Sequence, residues 1–148
     1  MILISHRGNI DGPNTDKENK PSYISSAIEK GYDCEVDFWF IDNKFKLGHD
    51  EPQYEIPIGF METYYRNLWI HCKNTEALSK LLEIDRGGVY LNYFWHDSDA
   101  VALTSKGNMW ANPGTYINNS IAVLPELKND KIIGRLGICS DYIINYEH

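Results

Sequence analysis

Apolar residues in this chain come in short runs, and nearly every run ends on polar side chains. Residues 2–5 lead into His6-Arg7-Gly8, residues 34–41 hold Glu35 and Asp37 within an apolar stretch, and residues 68–72 run up to Lys73. Residues 89–94, 109–111, 121–124 and 137–139 repeat the pattern. Short apolar runs bounded by turn formers read as buried strands. Helical patterns fall between them. Pro21 opens a helix with Ile24, Ala27 and Ile28 on one face and Gly31 as its stop. Residues 75–85 make a second, with Leu78, Leu81 and Leu82 on one face, a cap at Asn74 or Thr75, and Gly87-Gly88 beyond. Residues 44–48 fold back on 34–41 across Asp42-Asn43 as a hairpin, and residues 9–20 form a loop. Strands alternating with helices at this spacing predict an α/β fold with a parallel sheet.

The 148 residues suit one domain over 1–148, and 43% hydrophobic with 24% charged residues is ordinary globular composition. A net charge of -7 without any Lys/Arg-rich run excludes a duplex-binding surface, so no nucleic-acid partner is expected. A phosphate ligand is not excluded, because a bound divalent cation with one or two basic side chains reverses the local field. Cys34, Cys72 and Cys139 are far apart and lie in apolar runs, which predicts reduced, buried thiols. With no leader pattern and no apolar run long enough to span a bilayer, a cytoplasmic setting is the expectation.

Glu35 and Asp37 flank Val36, and period two puts both carboxylates on one face of their strand. Two close anions on a buried face repel and are costly to desolvate, so they call for a cation, with oxygen ligands favouring Mg²⁺ or Ca²⁺. His6 and His49 flank this acidic strand in sequence, with Arg7 after the first and Asp50 after the second. Cleaving a phosphodiester takes a base, an acid for the leaving alkoxide, and positive charge on the phosphoryl oxygens. Two histidines, an arginine fork and a metal meet those needs. In parallel barrels such groups gather at the C-terminal ends of strands. Here those ends carry His6, Arg7, Glu35, Asp37, His71, Lys73, Asn92, Asn112, Glu126 and Asp141.

His6-Arg7-Gly8, Glu18-Asn19 before a helix, residues 31–37 (Gly-Tyr-Asp-Cys-Glu-Val-Asp) and Gly48-His49-Asp50 occur in order over the first third of the chain. Together they resemble the N-terminal signature of the glycerophosphodiester phosphodiesterase family, within the phosphatidylinositol phospholipase C-like TIM-barrel superfamily. The resemblance implies His6 and His49 as acid and base, Arg7 as phosphate ligand, and Glu35 with Asp37 as metal ligands. Residues 70–73 resemble the family's strand ending in Glu-x-Lys, whose Glu is the third metal ligand. His71 stands at that position and Lys73 keeps the lysine, a candidate phosphate contact. Imidazole moves metal preference from Mg²⁺ or Ca²⁺ toward Mn²⁺ or Zn²⁺. Residues 109–112 resemble a late-barrel Trp and Asn element, which makes Trp110 a candidate substrate contact beside its alternative role in core packing. Asp141 occupies the place of the final strand's Asp, and Glu126 either completes the metal shell, holds His71, or lies at the surface.

Barrels of this family run to about 250 residues. The present chain therefore predicts a reduced or partly open TIM-like (β/α) barrel of about seven mostly parallel strands, with short loops for several helices. Apolar strand flanks left uncovered invite a homodimer. A shallow mouth would admit either a small-molecule or a polymeric phosphodiester. The function so implied is metal-dependent phosphodiester hydrolysis of the kind found in lipid metabolism. Its rival is a non-catalytic phosphate-binding protein on the same barrel, favoured by His71 and by the shortened chain.

Overall fold

In the computed structural model, which describes residues 1–148, the sheet is built outward from β1 (Ile2–His6). After the loop, α1 (Pro21–Glu29) leads to the nine-residue β2 (Asp33–Ile41), which pairs parallel with β1. The far half of β2 turns back through Asp42-Asn43, both with positive φ, into antiparallel β3 (Lys44–Leu47), and β4 (Tyr54–Ile56) pairs antiparallel outside it. Then come α2 (Ile58–Tyr64), β5 (Leu68–Cys72), α3 (Thr75–Arg86) and the two-residue β6 (Tyr93–Phe94). The last third contributes β7 (Val101–Leu103), β8 (Met109–Ala111), β9 (Ile121–Val123) and β10 (Gly137–Ser140), with 3-10 turns at Pro125–Leu127 and Ile143–Tyr146.

The sheet is mixed, which corrects the expectation of mostly parallel strands. β6, β5, β2, β1, β10, β9 and β8 run parallel to their neighbours in that order, while β3, β4 and β7 are antiparallel additions. The sheet curls so that the rings of Phe94 of β6 and Trp110 of β8 meet with centroids 4.7 Å apart, tilted by 33°. No strand ladder joins β6 to β7. Ser105 bridges that seam instead, its backbone N–H donating to Tyr93 O at 2.8 Å and its hydroxyl to Leu91 O at 2.8 Å. The predicted strand over 89–94 shrinks to Tyr93–Phe94, because Gly87-Gly88 turn the chain out of α3 and residues 89–92 follow as an irregular connection.

Side-chain alternation divides the interior in two. One face of β2 and β5 offers Cys34, Val36, Phe38, Leu68, Ile70 and Cys72 to α1, α2 and α3, which bury Ile24, Met61, Ala77 and Leu81 against them. The other face lines the inside of the curl with Ile4, Trp69, Phe94, Trp110, Ile121, Val123 and Cys139. Asn74 caps α3 by accepting from Ala77 N at 3.0 Å, and its amide donates to Phe40 O at 2.9 Å, tying the helix start to β2. The returns after β8 and β9 contain Pro113, Gly114, Pro125 and Gly134 and no 3.6-residue apolar period, so they pack as loops and a 3-10 turn where helices would otherwise lie. Leu127 and Ile133, in the return after β9, are left exposed, as is Leu103 at the end of β7. No helix is long and apolar enough to cross a membrane.

Candidate functional site

β1 delivers His6 to the mouth of the curl, and the next two residues turn the chain sharply. Arg7 (φ 55°) and Gly8 (φ 92°) are both left-handed, and a Cβ on Gly8 would sit 2.5 Å from the Tyr23 ring. That turn lets His6 and Arg7 face the same cavity instead of opposite faces of a continuing strand. The parallel register places His6 beside Glu35, and Asp37 beside His71 of β5. Gly48 turns the chain to present His49: its added Cβ would lie 2.0 Å from Glu51 O.

Glu35, Asp37 and His71 form one buried group whose ligand atoms all lie within 4.8 Å of one another. His71 Nδ1 is 3.2 Å from Asp37 Oδ1 and 3.9 Å from Glu35 Oε1. Glu35 Oε2 and Asp37 Oδ1 are buried without a hydrogen-bond partner. An unpartnered carboxylate oxygen in the interior is costly, and two buried carboxylates that each turn an oxygen, Glu35 Oε1 and Asp37 Oδ1, toward His71 Nδ1 suit a divalent ion. Burial and the neighbouring Asp37 charge push Glu35 up, against the pull of His6, Arg7 and His71. Burial would raise Asp37 as well, but the close approach of His71, the Arg7 guanidinium and the Asn19 amide hold it below the ordinary carboxylate range. Of the two carboxyls, Asp37 is thus the stronger anion.

His6 stands between two carboxylates. Its Nδ1 donates to Asp141 Oδ1 at 2.7 Å, and its Nε2 lies 3.8 Å from Glu35 Oε2. The acceptor at Nδ1 sets the tautomer and turns Nε2 toward the cavity. Burial alone would lower His6, but the bond to Asp141 and the Glu35 charge outweigh it, so His6 titrates above its ordinary value. Asp141 is correspondingly lowered, burial being overcome by His6 and by the Asn9 amide.

Arg7 is held by acids. Nε lies 3.1 Å from Asp37 Oδ2, off the hydrogen-bond direction, and Nη1 donates to Glu18 Oε2 at 3.3 Å. Asn19, at φ 64°, donates from its amide to Asp37 Oδ2 at 2.8 Å and accepts from Asp37 N at 2.9 Å. Arg7 and Asn19 therefore brace Asp37 from one side while His71 approaches from the other.

These groups open onto a cavity of about 300 Å³ lined by His6, Arg7, Glu35, His49, His71 and Lys73, with Trp110 in its floor. All the residues singled out from sequence as catalytic or substrate-binding (His6, His49, Arg7, Lys73 and Trp110) line it, as do two of the three metal candidates. Asp37 is shut away behind them, with no exposed surface. His49 is the loosest member, exposed at the rim with Nδ1 on Asp50 Oδ1 at 2.8 Å. Trp110 is both floor and core, 2% exposed and packed on Phe94 and Trp69. Glu126 does not reach His71 or the metal group. Its Oε1 accepts from Ser140 Oγ at 2.9 Å and from Asp141 N at 3.2 Å, fixing the end of β10.

Two members carry no sequence motif of their own. His96 lies on the cavity wall with its ring stacked on His71 at 4.3 Å and an interplanar angle of 10°. Burial and the neighbouring His71 hold its titration below the ordinary histidine value. Asn9 is fully buried behind His6. Compared with protein-family models, curated proteins and solved structures, the chain gives no match.

Proposed function

We propose that this chain is a metal-dependent phosphodiesterase of the glycerophosphodiester phosphodiesterase type, built on a shortened TIM-like barrel. The observation that carries the reading is the convergence of Glu35, Asp37 and His71, with two carboxylate oxygens lacking partners, beside a histidine already oriented by Asp141. Glu35, Asp37 and His71 would hold a divalent ion, whose bound form supplies Lewis-acid polarisation of the phosphoryl oxygens. The imidazole donor favours Mn²⁺ or Zn²⁺ over Mg²⁺ or Ca²⁺. His6, with Nε2 free and Nδ1–H anchored, takes the proton of the nucleophile, either water or a hydroxyl adjoining the phosphate. His49 at the exposed rim protonates the departing alkoxide, where the leaving alcohol has room to depart. Arg7 and Lys73 carry positive charge on the same wall and offset the phosphoryl charge. Three free, buried cysteines suit a reducing, cytoplasmic setting.

The test is hydrolysis of glycerophosphodiesters and bis(p-nitrophenyl) phosphate with Mg²⁺, Ca²⁺, Mn²⁺ and Zn²⁺ in turn. Metal-dependent turnover of glycerophosphodiesters that H6A and H49A both abolish is the expected result. No turnover with any of the four metals overturns it in favour of a second reading, a phosphate-binding protein without catalysis. That second reading has its own support: Arg7 is already engaged by Asp37 and Glu18, and His49 is turned to Asp50.

A further inference from the structure

Behind His6 and Arg7, away from the cavity, lies a side chain whose every hydrogen-bonding position is used. Asn9 is 0% exposed, and its Nδ2 donates to two carboxylates at once: Asp141 Oδ1 at 2.8 Å and Glu18 Oε1 at 2.9 Å. Its Oδ1 accepts from Asn14 N at 3.2 Å and from Tyr23 Oη at 3.2 Å, and its own N–H donates to His6 O at 2.9 Å. The orientation of the amide is unambiguous, since carboxylates only accept and the Asn14 N–H only donates.

The two carboxylates have different clients. Asp141 holds His6 through Nδ1, and Glu18 holds Arg7 through Nη1, which itself leans on the metal candidate Asp37. One amide thus fixes both anions and lies between charges that otherwise repel. We propose that Asn9 is a positioning residue that sets the His6–Asp141 pair and the Arg7–Glu18 pair in register, so that proton transfer and phosphate binding share one anchor. The proposal rests on the phosphodiesterase reading for its kinetic part only; the hydrogen-bond coupling stands apart from it.

Asn9→Asp keeps the shape and the acceptor toward Asn14 and Tyr23 but replaces the shared donor with a third acid. Both clients then lose their anchor. Misplacing reacting groups by about 1 Å costs roughly 10²-fold in rate, so kcat on a glycerophosphodiester is expected to fall about 10–100-fold and KM to rise several-fold. The double variant N9D/E18Q exchanges amide and carboxylate: the new amide donates to position 9 and its oxygen still accepts from Arg7. It restores the Arg7 side alone, so KM returns to near the wild-type value while kcat stays low. A residue that merely holds the fold would not split the two constants in this way.

A second readout needs no turnover. In protein labelled with ¹⁵N-histidine, the downfield Nδ1–H proton of His6 on Asp141 is expected to shift or vanish in both N9D and N9D/E18Q. Wild-type kinetics in N9D, or a double variant that folds without recovering KM, overturns the shared anchor. So does an unmoved His6 resonance in N9D or, should N9D fail to fold, in the charge-conserving double variant. A wild-type protein inactive on every diester, with the His6 resonance still responding to N9D, would refute the phosphodiesterase reading and leave the coupling standing.

Discussion

Asp141 meets His6 at 2.7 Å across 135 residues of chain, joining the end of the last strand to the end of the first. The contact follows from the parallel register of β1 on β10, in which Ser5 lies opposite Ser140 and the next residue on each strand reaches the mouth. It fixes which imidazole nitrogen faces the site.

Asp141→Asn therefore reports on both catalysis and stability. The amide leaves the tautomer undefined, and kcat is expected to fall by about 10² or more. The stability effect has a definite pH sign. His6 is raised above 6.5 in the fold, so its contribution is full below 6.5 and fades as pH rises through the higher folded value. Asp141 is lowered below 3.8, so its contribution is present above 3.8 and fades as pH falls through the lower folded value. The melting-temperature gap between wild type and D141N should be widest between pH 3.8 and 6.5 and should narrow under alkaline conditions. A gap independent of pH would count against the ion pair.

Metal affinity should also follow pH. Glu35 is raised by burial and by the Asp37 charge, so a proton competes with the ion as pH falls toward that raised value. Calorimetric titration with Mn²⁺ at pH 5.5 and 7.5 is expected to show tighter binding at the higher pH, by up to about tenfold per pH unit below the Glu35 value. In E35Q the affinity drops and most of that dependence goes with it.

The proposed metal centre would take its ion preference from His71. Replacing His71 by Glu gives an all-oxygen donor set, which should favour Mg²⁺ and Ca²⁺ at the expense of Zn²⁺. Thermal shift reads this directly: an ion at 100 times its Kd stabilises by about 2.7 kcal/mol. Equal responses of H71E and wild type to all four ions would remove His71 from the ligand set.

His49 at the rim predicts a leaving-group signature. A p-nitrophenolate departs without a proton, whereas an alkoxide needs one. H49A should keep bis(p-nitrophenyl) phosphate turnover within a few-fold and lose about 10²–10⁴ on an alkyl diester. Gly48→Ala disturbs the same residue through the backbone, because the added methyl meets Glu51 O. Urea unfolding is expected to show a loss of about 1–3 kcal/mol.

Most of the mouth was legible in the sequence because its members sit at strand ends, and period two in β2 puts Glu35 and Asp37 on one face whatever encloses them. The short apolar runs, the proline-started α1 and the asparagine-capped α3 were legible for the same reason: local sterics and side-chain period decide them. What lies opposite a strand end is a different matter. Only the tertiary register joins Asp141 to His6, lays His96 on His71, ties Glu126 to Ser140, and folds Asn9 inward between Glu18 and Asp141. The same holds for the sheet. The β2–β3 hairpin was legible, but most local patterns mark strands without fixing their direction, and the antiparallel β4 and β7, which carry no such signal, join β3 in making the curled sheet mixed. The sequence by itself determined most of the chemical groups that reach the mouth; the pairing of distant strands added His96 and decided which of them touch, since hydrogen bonds between residues 135 apart have no local signature.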